Sequence, residues 1–243
     1  MRNQRDLVLL PLLIVLGIML ATCNPISAPI PPTTAAAAQQ DTTIPTPNAQ
    51  NNRQDAAAAP PTPEVVRPLI TLPVSVYIVD GEVPADAMSS ARTAEQLAEV
   101  YQAVNRIWVQ ANIMIEVQSI RRIQLPTAVL QRILHGDFAP FFTGIDYEFA
   151  IPGTTLINAF YAREIGGANG IVPFRSRFFF VNDAPSVHDE RVTSHEIGHI
   201  LGLHHVLDDP GRLMFSGTNG MTLTEEEIVV ARYVAQGMLD RVR

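Results

Sequence analysis

From Ala94 onward the apolar residues Ala94, Leu97, Ala98, Tyr101, Val104, Trp108 and Ala111 recur every three or four positions, a spacing that lines one face of a long helix. Thr93, with Gln96 three residues later, supplies a capping box for its first turn. Tyr101 and Trp108 fall on the apolar stripe at helical period and read as core rather than as a binding face. Upstream, the β-branched run Val74 to Val79 is bounded by Pro73 and by the Asp80-Gly81 turn signal, which predicts a strand. Ile113 to Ile120 alternates apolar and polar residues, a second strand, and Pro126 to His135 reads as a short helix. Thr154 to Tyr161 and Arg177 to Val181 are two more strands, with the glycine-rich segment 166–170 between them. Thr224 and Glu227 form a second capping box, with acids at the positive end of the helix dipole, and Ile228 to Met238 continues as a final helix. This order predicts a mixed sheet backed by helices, an α+β or α/β layer fold, over residues 64–243, and α+β is the class taken here.

The first 63 residues follow a different pattern. Arg2 and Arg5 precede an apolar run from Leu7 to Ala21 that is short for a bilayer span, which reads as an export signal over residues 1–22. Its end, Leu20-Ala21-Thr22-Cys23, resembles the lipobox of bacterial lipoproteins. That resemblance implies cleavage before Cys23, a lipid anchor on its thiol, and an extracytoplasmic, membrane-tethered protein. Thr22 stands where Gly, Ala or Ser is usual, so a plain signal peptide releasing a secreted protein, or an uncleaved anchor, are the alternatives. Residues 24–63 are dominated by Pro, Thr, Ala, Gln and Asn, with too few large apolar side chains to offset the entropy of ordering, and read as a disordered tether.

Composition narrows the chemistry. With 17 Lys and Arg against 24 Asp and Glu the net charge is −7, and no basic cluster exists outside the extreme N-terminus, which argues against nucleic acid as a partner. Cys23 is the one cysteine, so neither an internal disulfide nor a cysteine metal knuckle is available. Catalysis or metal binding must use His, Asp, Glu, Ser or Tyr.

Residues 192–205 read VTSHEIGHILGLHH. His195 and His199 are four apart, so on a helix both imidazoles reach one ion. Glu196 is placed to reach a water at that ion and act as general base. Gly202 can adopt the left-handed conformation that ends a helix and turn the chain so that His205 arrives as a third ligand, with His204 the competitor. Three imidazoles leave one open position, as a catalytic zinc requires.

At His195, Glu196, His199, Gly202 and His205 the segment matches H-E-x-x-H-x-x-G-x-x-H and resembles the metzincin clan of zinc metalloendopeptidases. Met214, nine residues after His205, falls where the matrixin-like branch places its methionine turn, and family spacing favours His205 over His204. The resemblance implies one catalytic zinc, a protein or peptide substrate, and a twisted, mostly parallel mixed sheet with an active-site helix, a Met-turn and a C-terminal helix. It also implies an edge strand against which an extended substrate pairs, for which the segment Gly167 to Val172, and within it Gly167, Ala168, Asn169 and Gly170, is the candidate; an ordinary glycine-rich loop is the alternative. Ser216 stands where matrixins carry proline, and no tyrosine closely follows Met214. Asp183, Asp208 and Asp209 adjoin turn signals and read as exposed turn residues, so calcium is not expected. Three functions compete: an exported zinc endopeptidase, a catalytically silent metzincin-like module that binds zinc and protein partners at the cell surface, and a surface protein whose histidines are incidental. The intact Glu196 favours the first.

Overall fold

A computed structural model describes residues 67–82, 87–139, 156–173 and 176–241. The export segment 1–22, Cys23, the stretch 24–63 and the Thr154 end of the third predicted strand lie outside the described residues. Among the described residues no helix is long and apolar enough to cross a membrane.

The sheet is built on β1 (Ile70–Asp80), which pairs in parallel with β2 (Ile113–Gln124) on one side and β3 (Ile157–Ala162) on the other. The short β4 (Gly170–Ile171) lies antiparallel on β5 (Phe178–Asn182), which pairs in parallel with β3, giving the order β2-β1-β3-β5-β4. Parallel neighbours need a crossover, and α1 (Ala94–Trp108) supplies the one between β1 and β2. The remaining helices are α2 (Thr127–Leu134), α3 (Asp189–Ile200) and α4 (Glu225–Asp240). The molecule is thus α+β, a mixed and mostly parallel sheet backed by helices, as the sequence pattern predicts.

Strand alternation divides the core in two. Val74, Val76 and Ile78 of β1, Ala159 and Tyr161 of β3 and Phe179 and Val181 of β5 share one cluster with Leu97, Val104 and Trp108 of α1, Val192 and Ile197 of α3, and Ile228 and Ala231 of α4. On the other face Tyr77, Val79, Phe160 and Phe180 pack with Leu130 and Ile133 of α2 and with Phe138. Tyr77, Phe160 and Phe180 are register partners on three adjacent strands and stack with ring centroids 4.9 and 5.0 Å apart. With both faces covered, the central strands read as continuous apolar runs.

Both predicted capping boxes form: Thr93 Oγ1 accepts from the Gln96 amide and Thr224 Oγ1 from the Glu227 amide. β1 begins at Ile70 and contains Pro73, which the sequence pattern takes as a boundary. The proline is tolerated because β3 starts to pair only at Val74, so Pro73 has a strand on one side alone. β2 runs four residues past Ile120; Val74 pairs with Val117 but Ser75 with Ser119, and the extra residue, Gln118, breaks the alternation that would have announced the continuation. α1 stops at Trp108, followed by one 3-10 turn to Ala111 and by Asn112 in the left-handed region at φ 47°.

Asp208 and Asp209 are exposed turn residues, but Asp183 is not. Its side chain is 4% exposed, accepts from Ser90 Oγ at 2.7 Å and from the Ala91 amide at 2.6 Å, and lies 4.0 Å from the Arg92 guanidinium. The carboxylate ties the chain after β5 to the segment before α1. Asp183→Ala is expected to lower unfolding free energy by about 1–3 kcal/mol, because it removes the acceptor of the buried Ser90 hydroxyl and the carboxylate beside Arg92, whereas Asp208→Ala should change it by less than about 0.5 kcal/mol; urea denaturation of the two variants measures both.

Candidate metal centre

α3 starts with Asp189 and Glu190 at the positive end of its dipole, and Arg92 forks onto Asp189 with contacts of 2.5 and 2.7 Å, which fixes where the helix enters the core. Arg191 through Gly198 are all buried, so a segment rich in polar residues crosses the interior. Val192, Ile197, Leu201 and Leu203 hold it on the apolar side, with Ile200 partly buried. The helix ends as predicted: Gly202 has φ +83°, and the Gly202 and Leu203 amides bond back to the carbonyls of His199 and Gly198 at 3.1 and 2.9 Å. A Cβ at Gly202 would meet Val234 of α4 at 3.1 Å, so both the backbone angle and the close approach of α4 call for glycine.

The reversal brings His205 back over α3. Its Nε2 lies 3.1 Å from the Nε2 of His195 and 3.1 Å from that of His199, and the three ligand atoms are within 4.8 Å of one another. His204 is exposed and stays outside the group, and among the described residues this is the one such cluster. His195 Nδ1 bonds the Leu213 carbonyl at 2.7 Å and His199 Nδ1 the Leu203 carbonyl at 3.0 Å. Carbonyls only accept, so both Nδ1 atoms carry the proton and both Nε2 lone pairs point inward. His205 Nε2 faces these two lone pairs and either donates to them or, as a third lone pair, faces a cation with them. Two nitrogens about a tetrahedral zinc are separated by roughly 3.3 Å for Zn–N bonds of about 2.0–2.1 Å, so the group fits such an ion.

The electrostatics favour neutral rings. Burial, with the Arg191 charge next in importance, holds His195 well below its ordinary value and lowers His205. Burial brings His199 to about 4 despite the carbonyl it donates to. Glu196 is fully buried one residue beyond His195, and its carboxylate lies against β4: a Cβ on Gly170 would sit 2.5 Å from Glu196 Oε1. Met214 is completely buried beneath α3, where a Cβ on Gly198 would come within 2.7 Å of its Sδ.

The segment from Gly167 to Val172 is a strand only at Gly170–Ile171. Gly167 is a turn residue at φ +78°, its amide bonded to Glu164 Oε1 at 2.8 Å. Ala168 and Asn169 are buried, and Asn169 Oδ1 accepts from the Ser186 amide at 2.8 Å while its carbonyl accepts from the Asn182 amide at 2.9 Å. Residues 167–169 therefore anchor the edge instead of forming it. His188 is exposed at the N-cap of α3, and His135 Nδ1 bonds the Gln131 carbonyl at 2.6 Å. Sequence reasoning missed Arg191, 1% exposed and four residues before His195 on the same helical face; an arginine at that position in an otherwise buried helix was the available signal.

No protein-family model and no curated protein matches this chain. Solved structures of similar fold include archaemetzincin from Methanopyrus kandleri, 14% identical with a TM-score of 0.49 over 68% of this chain and 96% of that one. A chain from a chaperone-substrate complex is 16% identical with a TM-score of 0.51, over 70% of this chain and 34% of its own length. Metalloproteinase-II from Bacteroides fragilis is 14% identical, TM-score 0.44, over 68% of this chain and 53% of that one. At 16% identity the likeness to the chain from the chaperone-substrate complex concerns the fold alone.

The three histidines titrate lower in the folded than in the unfolded chain, so acidification protonates the unfolded state first. Their contribution to stability is present above about 6.5 and is lost as the pH falls below it, for His199 down to about 4 at up to about 1.4 kcal/mol per pH unit. Urea unfolding of the metal-free protein at pH 7 and pH 5 should show this loss, with a shallower slope in His199→Asn.

Proposed function

We propose that this chain is a zinc-dependent endopeptidase that hydrolyses peptide bonds in extracytoplasmic proteins or peptides. The observation that carries the reading is the convergence of the His195, His199 and His205 Nε2 atoms beside the buried Glu196 carboxylate. The residues stand in the metzincin order, and the short path from His205 to Met214 supports the matrixin-like branch. His195, His199 and His205 hold the metal; zinc in such a site supplies Lewis acidity toward a peptide carbonyl and a water molecule. Glu196 takes the proton of the attacking water on its carboxylate and delivers it to the departing amine. Among the described residues Gly170–Ile171 has β5 on one side only, and its other edge is the one we assign to an extended substrate backbone. Gly170, having no Cβ, leaves room for the Glu196 carboxylate below that edge. The apolar run Leu7 to Ala21 and Cys23 direct the protein out of the cytoplasm and anchor it to a membrane through lipid.

The purified protein is expected to hold one zinc, to cleave a quenched unfolded-protein substrate, and to stop doing so on chelation. Glu196→Ala should keep the zinc and lose about 10²–10⁴-fold in kcat/KM. Gly170→Ala should keep the zinc and also lose activity, since its methyl group displaces Glu196. Zinc bound without cleavage by the wild-type protein would point to the binding module, and absence of stoichiometric zinc would remove both readings.

A further inference from the structure

Arg191 places a guanidinium in the core, close enough to the three histidines for its charge to act on each of them. Its Nη2 donates to the Leu213 carbonyl at 3.0 Å and to the Phe215 carbonyl, the residues on either side of Met214. The Leu213 oxygen is also the acceptor for His195 Nδ1 at 2.7 Å, so one carbonyl serves the buried cation and the imidazole together. The intervening Met214 carbonyl accepts from the Val206 amide at 3.0 Å. All three consecutive carbonyls of the turn are therefore engaged, two of them by one side chain.

We propose that Arg191 is a positioning residue of the metal site: by bridging the Leu213 and Phe215 carbonyls it makes the turn a rigid acceptor that fixes the ring angle and tautomer of His195. The inference rests on reading the three histidines as metal ligands. Arginine suits the task because one Nη2 carries two hydrogens in a fixed plane, which two carbonyls can share. The two hydrogen bonds also offset part of the cost of keeping a charge in an apolar interior, where a guanidinium without specific partners is strongly disfavoured. The turn is held from its other side by Met214 against Gly198, so loosening the carbonyls would disturb the floor of the site as well as His195.

The role of Arg191 as a positioner and its role as a charge have opposite signs. A buried cation repels a metal cation, so if charge were its only influence, neutralising it would tighten metal binding. Loss of an outer hydrogen bond to a ligating histidine instead weakens binding, by about 10–100-fold. The test uses the full chain loaded with Co2+, with its visible absorption spectrum and the rate of cobalt transfer to a chelator as readouts. Arg191→Met is expected to change the cobalt bands and to weaken affinity by about 10–100-fold, and Arg191→Lys to fall between it and wild type. Unchanged bands and release in a folded Arg191→Met, or tighter binding, would overturn the inference while leaving the functional reading intact. Should Arg191→Met fail to fold, altered bands in Arg191→Lys support the role, and a Lys variant identical to wild type assigns Arg191 its charge alone and overturns it. A wild-type protein that binds no cobalt overturns the inference and the functional reading together.

Discussion

A helix whose buried stretch contains Arg191, Thr193, His195 and Glu196 gives up the hydration of those groups on entering an apolar core, and much of the surrounding chain is arranged to supply partners for Arg191, Thr193 and His195. Leu213 and Phe215 turn their carbonyls toward Arg191, Leu213 accepts from His195, and Tyr161 of β3 places its hydroxyl 2.9 Å from Thr193 Oγ1. The outer end of the helix is pinned by Arg92, itself held beside the Asp183 carboxylate. The same bonds that permit burial fix the direction of the imidazoles, so the stability of α3 and the geometry of the metal centre share one cause.

Close approach depends on positions without a Cβ. Gly198 admits Met214 beneath the helix, Gly202 turns the chain and lets α4 pack at the turn, and Gly170 allows the edge strand to lie over Glu196. Each brings together elements distant in sequence. The Met214 loop is further joined to α4 by the Arg212 and Glu227 pair at 2.9 Å, so the C-terminal helix supports the floor of the site as well as the Gly202 turn.

Local signals were read correctly because local physics produced them. The capping boxes at Thr93 and Thr224 and the stop at Gly202 are satisfied within a few residues of chain, whereas the stripe expected to run to Ala111 leaves the α-helix at Trp108 for a 3-10 turn. Expectation and structure part where a neighbouring element changes the rules. Pro73 is compatible with β1 because β3 begins one residue later, Gln118 is an extra residue forced by the register of β1, and Asp183 is buried because Ser90 and Ala91 are brought against it from across the fold. Ala168 and Asn169 could not be told from strand residues, since what distinguishes them is a set of bonds to Ser186 and Asn182.

By itself the sequence determined the α+β class, the spacing of His195, Glu196 and His199 on one helix, and the turn that returns His205, because periodicity and glycine conformation act over a few residues. Only the tertiary structure decided that Glu196 meets Gly170 and that Arg191 and His195 share the Leu213 carbonyl. Those contacts join atoms from separate elements, and a hydrogen bond between residues 18 positions apart exists only once packing has fixed the path of the chain between them.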